Sequence, residues 1–231
     1  MLAFVCAMPM ELRPLAKRLG LHKQVQEGLT VRAGALEGRP VIAIATGMGT
    51  ERGGQRTDEL LDAVDVERVL VFGITGAVDD ETPIGTVVHP ERVVDAGTGR
   101  EHRPDPIDDA LPRGAMWTTD VITPASQLPA LRARGVVCLD METAAMAAVC
   151  ERHGIPWSVH RAISDRATDG SVDDEVFHLS RQDGTPDPAA VARFLLRHPQ
   201  RLPGLARMAK GARLATERSA DAAIAAARRL P

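Results

Sequence analysis

The chain is poor in the residue types that mark several common protein classes. Its three cysteines in 231 residues, Cys6, Cys138 and Cys150, are too few and too far apart for a disulfide framework or a Cys-x-x-Cys metal clip. Each lies in an apolar run, where reduced cysteine packs as a small hydrophobe, so a reducing, cytoplasmic setting is expected. No apolar run reaches the eighteen or so residues that span a bilayer, and residues 1–8 carry neither a basic leader nor a cleavage site. No transmembrane segment and no export are therefore expected. Lysine is scarce too: 25 of the 28 basic residues are arginine, leaving Lys17, Lys23 and Lys210.

Motifs for several chemistries are also missing. After Gly47-x-Gly49 no glycine follows at the dinucleotide-binding spacing, and there is neither a Walker phosphate loop nor a Gly-x-Ser-x-Gly nucleophile elbow. His22, His89, His102, His153, His160, His178 and His198 show no ligand spacing, so each reads as a surface or packing residue. No metal and no cofactor are expected. The net charge is −3, but nine basic residues against Glu217 and Asp221 give residues 190–231 a charge of +7, leaving −10 on the rest. A basic tail can hold nucleic acid or an anionic membrane surface. Aromatic side chains for base stacking are all but absent there, so the tail reads as solvated helix faces and no nucleic-acid partner is expected.

What is present is a chain long enough for one sizeable core, 44% hydrophobic, with strand and helix signals in alternation. Residues 2–8 read as a buried strand feeding a helix that has Pro9 in its first turn. Residues 29–36 and 39–46 form a hairpin around Glu37-Gly38, and the Gly-rich turn at 46–50 opens a helix over 51–63. Further strands are expected at 69–74, 85–94, 115–119, 136–139 and 157–164, with a loop at 97–114 and a helix over 141–153. Helical patterns run over 188–196 and 202–230. Such alternation means an α/β domain, a three-layer α/β/α sandwich with a central mixed, mostly parallel sheet. Residues 1–187 are read as the catalytic unit and 188–231 as a helical extension packed on it.

In open α/β sheets ligands gather at the carboxyl ends of the strands, and three acids fall there: Glu11, Glu142 and Asp165. Glu142, in the first turn of its expected helix, would be kept ionised by the helix dipole, and its two oxygens suit two neighbouring sugar hydroxyls. A plain helix-start acid fits that position equally well. Asp165 could be an ordinary turn residue paired with Arg166, or a buried acid whose pKa is raised by other carboxylates so that it can deliver a proton. Arg161, inside the same strand, needs a carboxylate partner, for which Glu11 is the candidate.

The segments Ala7-Met8-Pro9-Met10-Glu11, Thr46-Gly47-Met48-Gly49, Gly73-Ile74-Thr75-Gly76-Ala77, Asp140-Met141-Glu142-Thr143-Ala144-Ala145 and Arg161-Ala162-Ile163-Ser164-Asp165 resemble, in order, the motifs of the nucleoside phosphorylase superfamily. The start of the chain is more similar to the methylthioadenosine/S-adenosylhomocysteine nucleosidases within it. That resemblance implies cleavage of the N-ribosyl bond of a purine nucleoside of the adenosine type. Glu11 would activate the attacking water, Arg161 would help place it, and Asp165 would protonate purine N7. Met141 would pack on the ribose and Glu142 bind its 2′ and 3′ hydroxyls. Thr75, Gly76, Val121, Ile122, Ser164 and Phe177 would complete the substrate pocket, although Phe177 also fits core packing beside Val176 and Leu179. Homodimerisation is implied by the same resemblance alone.

Whether water or phosphate attacks turns on an anion site. The bacterial phosphorylases carry a Gly-Asp-Pro-x-Arg segment and an Arg before the Gly-Ser block. This chain has Met8-Pro9-Met10-Glu11 and apolar Val71 at those positions, which favours hydrolysis. Backbone N–H groups of Gly47, Gly49 and Thr50 could still receive an anion at a helix start, with help from Arg52 or Arg56, and phosphorolysis remains the runner-up. Ile74 stands where the nucleosidases usually have serine. A hydrogen bond to the nucleophile is then missing or rerouted, which leaves open a nucleoside-binding protein without turnover. Asp183-Gly184, Ala189-Ala190-Val191, Arg197-His198-Pro199 and Leu202-Pro203-Gly204-Leu205 resemble the hopanoid-associated phosphorylase-like branch, which implies a bulky 5′ substituent such as an adenosyl lipid conjugate.

Overall fold

The computed structural model describes residues 1–107, 112–166, 174–177, 179–181 and 183–230. The chain opens with β1 (Leu2–Cys6), α1 (Pro9–Arg18), β2 (His22–Gln26), β3 (Leu29–Leu36), β4 (Arg39–Ala45), α2 (Thr50–Ala63) and β5 (Arg68–Ala77). It continues through β6 (Val87–Val88), β7 (Arg92–Asp95), β8 (Glu101–His102), β9 (Ala115–Thr118), α3 (Leu128–Ala133), β10 (Val136–Asp140), α4 (Thr143–Arg152) and β11 (Trp157–Arg166). The helices α5 (Asp174–Phe177), α6 (Pro188–Arg197) and α7 (Leu202–Arg228) close it.

The strands form one mixed sheet in the order β2-β3-β4-β1-β5-β10-β9-β7-β8, with β11 joined to β5 and β6. Parallel pairing dominates the centre, where β1 lies between β4 and β5 and β11 runs along β5. A sheet covered on both faces must bury every side chain of its central strands, which is why β1 and β5 read as continuous apolar runs. Alternation then sorts them. Ala3, Val5, Val69 and Val71 join the core under α2 and α4, whereas Leu2, Phe4, Leu70 and Phe72 join the core under α1 and α7. At about 1.5–3 kcal/mol per fully buried Leu, Val or Phe, these two layers are the main source of the fold's stability.

Helix α7 does more than decorate the surface. Ala220, Ala223, Ile224, Ala226 and Ala227 belong to the second core, small side chains that let a long helix lie close on the sheet. The three cysteines are buried and unpaired, and burial pushes the Cys138 and Cys150 thiols up to about 12, so they remain neutral packing groups. No helix among the described residues is long and apolar enough to cross a membrane.

Several boundaries differ from the sequence expectation. The strand expected over 85–94 is two, β6 and β7, because His89-Pro90 interrupts it and proline has no N–H for a ladder. The expected loop at 97–114 contains β8, paired with β7. Strand β2 carries four exposed residues of five and so showed no apolar signal. The helix expected from residue 141 begins at Thr143, because the Asp140 carboxylate accepts Thr143 N–H at 2.8 Å and Glu142 N–H at 3.3 Å and holds the preceding turn. His178 and the side chain of Phe177 lie outside the described residues.

Candidate active site

The site forms where the sheet divides. Strand β5 pairs with β1 only as far as Val71, and β10 meets it antiparallel at Gly76 and Ala77. Between these two neighbours lies a cleft of about 250 Å³ at the strand ends, lined by ten of the residues the sequence singled out. Glu11, Arg161, Asp165, Met141 and Glu142 are there, as are Thr75, Gly76, Val121, Ile122 and Ser164. Met8, Met48 and Ile74 add apolar wall. The expected anion residues Gly47, Gly49 and Thr50 are not among the lining groups.

Glu11 is fully buried in the first turn of α1. Its Oε2 accepts Met8 N–H and its Oε1 accepts Ile74 N–H, both at 2.7 Å. Residue 74 thus meets Glu11 through its main chain, whatever its side chain. Gly73 has φ +135°, and a Cβ at this position would collide with the Glu11 carboxylate, so only glycine leaves room for the acid. Burial raises the Glu11 pKa, against the opposing pull of Arg161 and of the backbone donors at Ile74, Met8 and Ala7. The result is a carboxylate that is a stronger base than an exposed one.

Arg161 is 1% exposed and holds the centre of the cluster. Its Nη2 lies 3.1 Å from both Asp140 Oδ2 and Glu142 Oε2, Nη1 donates to the Ile74 carbonyl at 2.7 Å, and Nε donates to Thr143 Oγ1 at 2.9 Å. Its ion-pair partners are therefore Asp140 and Glu142, not Glu11 as the sequence suggested. The chain position of Asp140, at the end of β10, is visible in the sequence; its pairing depends on how β10 and β11 lie across β5.

Glu142 stands at the N-cap of α4 rather than in its first turn, and its charge is met by α2 instead: Gly49 N–H, at that helix's start, donates to Oε1 at 3.1 Å. The expectation that a helix dipole keeps it ionised is corrected by its burial. Desolvation, with a contribution from Asp140, pushes its pKa up to about 7, partly offset by Arg161. Asp165 is half-buried rather than buried, accepts a hydrogen bond from Ser164 Oγ and faces Gly76 across the β5–β11 ladder. Ser164 Oγ also lies 3.3 Å from the Thr75 carbonyl, and Thr75 Oγ1 donates to Leu139 O at 2.6 Å, tying β5 to β10.

The helix start expected to receive an anion is filled from within. Asp120 accepts Thr50 N–H at 2.8 Å and Thr50 Oγ1 at 2.6 Å, while Glu142 takes Gly49 N–H. Asp120 was not singled out from the sequence, and a cap arriving from 70 residues away leaves no local signal. Arg52 and Arg56 line a separate groove with Gly47 and Asp183. Arg166 is the other basic side chain among the described lining residues, at the Asp165 end. Elsewhere, Asp58, Asp62 and His153 bring ligand-type atoms together, but Arg152 pairs with Asp58 at 2.5 Å, an ion-pair network on the outer faces of α2 and α4.

The buried acids fix a pH response. The folded pKa values of Glu11 and Glu142 lie above the ordinary value of 4.5, so the folded state binds more protons than the unfolded state between pH 4.5 and about 7. Stability should fall as pH rises through that window, since the slope follows the protons bound unfolded minus folded. Surface acids with lowered values, such as Asp58, Asp95 and Asp187, complete their titration below it. Urea midpoints at pH 5 and pH 7.5 check this: a lower midpoint at pH 7.5 is expected, and a higher one would contradict the assignment.

The family model for the phosphorylase superfamily matches residues 1–113 and 106–197. The chain belongs to this superfamily. Within it, a curated 5′-methylthioadenosine/S-adenosylhomocysteine nucleosidase of Mycobacterium bovis is 26% identical over 224 residues, covering 73% of this chain and 87% of the relative. Two solved structures share the superfamily fold at 16% identity. A nucleosidase of the same name from Neisseria meningitidis, bound to methylthio-immucillin-A, superposes with a TM-score of 0.75 over 99% of both chains. A futalosine hydrolase of Helicobacter pylori does so with 0.74 over 99% of this chain and 97% of its own. The superfamily's three-layer sandwich, with its central mixed sheet, is the architecture described above.

Proposed function

We propose that this superfamily member is a purine nucleosidase that hydrolyses the N-ribosyl bond of an adenosine-type nucleoside. The observation that carries the choice of water over phosphate is the carboxylate cluster at the cleft: Glu11 is buried on one side, and the nearby helix start is already capped by Asp120 and Glu142. Phosphate, a dianion, would meet Glu11 and Glu142, and Arg161 beside them is already bound to Asp140 and Glu142. Water needs only a base. Glu11, with its raised pKa, takes the proton from water as it attacks the anomeric carbon.

Departure of the base leaves positive charge on the ribose ring, which the carboxylate of Glu142 stabilises while gripping the 2′ and 3′ hydroxyls. Asp165 protonates purine N7, so that the base leaves as a neutral molecule. Arg161 orients Glu142 and the Ile74 carbonyl. Met141 packs on the sugar, and Val121 and Ile122 face the base. Residues 1–187 serve as the catalytic unit with 188–231 as its helical extension, and a cytoplasmic homodimer completes the reading. Support for the substrate class comes from the nucleosidases to which the chain is similar.

The test is adenine release from 5′-methylthioadenosine, S-adenosylhomocysteine, adenosine and an adenosine bearing a long apolar 5′ chain, each with and without inorganic phosphate. Release from at least one of them, at a rate independent of phosphate, is the expected result. A strict phosphate requirement would replace hydrolysis by phosphorolysis.

A further inference from the structure

Helix α7 meets the sheet beside the site at Ser219. Ser219 is fully buried against the sheet. A serine inside a helix commonly returns its hydroxyl to a carbonyl of its own helix, as Thr216 does one turn earlier toward Arg213 O at 2.8 Å. Ser219 does not. Its Oγ accepts Gly73 N–H at 2.7 Å and donates to the His160 carbonyl at 2.7 Å, linking β5 to β11. Both linked groups adjoin the site: Gly73 precedes Ile74, whose N–H holds Glu11, and His160 precedes Arg161.

We propose that Ser219 is a positioning residue for the nucleophile side of the cleft, fixing the Phe72-Gly73 peptide so that the next N–H along the chain, that of Ile74, stays aimed at Glu11. Three successive peptide groups are gripped here, Phe72-Gly73 by Ser219 at Gly73 N–H, Gly73-Ile74 by Glu11 at Ile74 N–H and Ile74-Thr75 by Arg161 at the Ile74 carbonyl. Gly73 is the soft link, because glycine at φ +135° has no Cβ to confine it. Without the hydroxyl, Gly73 N–H and the His160 carbonyl each lose a buried hydrogen bond, and the Phe72-Gly73 peptide loses its tie to α7. The same helix closes on the acid side of the site, where Gly211 lies so near the Ser164 carbonyl that a Cβ would overlap it.

The inference rests on the nucleosidase reading and can fail separately from it. Ser219→Ala is expected to lower kcat roughly 10- to 100-fold with KM within about threefold, the scale of a small misplacement of a reacting group. The acid limb of the kcat profile should also move to higher pH, since losing an N–H donor disfavours the ionised Glu11. The other titratable groups coupled to Glu11 are Arg161 from β11, Glu142 from the turn after β10 and Cys6 from β1, and none of them is altered. Thr216→Val removes a buried hydroxyl from the same helix and should leave both kcat and the profile unchanged. Should the alanine variant not fold, Ser219→Cys keeps the volume with weaker hydrogen bonds and should show the same split with a smaller loss. An active wild-type enzyme with kcat and pH profile unchanged in the foldable Ser219 variant overturns the positioning role alone. A wild-type chain that releases no base overturns the functional reading and this inference with it.

Discussion

Replacing Glu11 by glutamine should lower kcat by about 10²–10⁴-fold, the usual contribution of a positioned general base, while ligand affinity changes by less than about threefold. The amide keeps the size of the carboxylate, and its carbonyl oxygen can still accept Ile74 N–H. It cannot accept a proton from water. The roles proposed for Glu142 on the ribose and Asp165 on the base are untouched, so binding of a non-hydrolysable adenosine analogue, measured by calorimetry, should survive. A parallel fall in affinity and rate would mean that Glu11 holds substrate rather than activating water. Unchanged affinity in a chain whose wild type has no turnover would instead identify a nucleoside-binding protein.

Arg161→Met should cost about 3–5 kcal/mol of folding stability at pH 7.5, the scale seen when one partner of a buried ion pair is removed. The guanidinium is 1% exposed and is shared by Asp140 and Glu142, which would be left facing each other without a cation. Methionine fills much of the volume, so lost charge rather than a cavity dominates. Part of the loss should return as the pH falls to 5, because Glu142, already pushed up to about 7 beside Arg161, holds a proton still more readily without the cation, and protonation relieves the repulsion. Adding Glu142→Gln should restore stability in the same direction at pH 7.5. Urea unfolding of the single and double variants checks both points, and a loss of under about 1 kcal/mol, the range of exposed pairs, would contradict the central role given to this cation.

Much of this was written in the chain. The alternation Leu2, Phe4 against Ala3, Val5 predicts a strand buried on both faces, and Pro9 predicts the start of α1. Ten candidate residues do line one cleft, because motif residues at strand ends converge wherever parallel strands share a sheet. What sequence could not give was pairing across the sheet. Arg161 was assigned to Glu11, yet the divergence of β5 from β1 brings Asp140 and Glu142 to it instead. Residue 74 reaches Glu11 through its N–H, a bond common to every residue but proline and so invisible to a comparison of side chains. Asp120 and Ser219 act across 70 and 146 residues of separation, on Thr50 and Gly73, and neither leaves a local pattern.

The sugar product decides most directly whether this site uses water. With 5′-methylthioadenosine or another turned-over adenosine as substrate, the reaction can be run in ¹⁸O-labelled water containing saturating inorganic phosphate, and the sugar analysed by mass spectrometry. Free sugar carrying one ¹⁸O at its anomeric hydroxyl, formed in an early time course before exchange, is the expected result. A sugar 1-phosphate in its place would contradict the reading of Glu11 as the base that activates water.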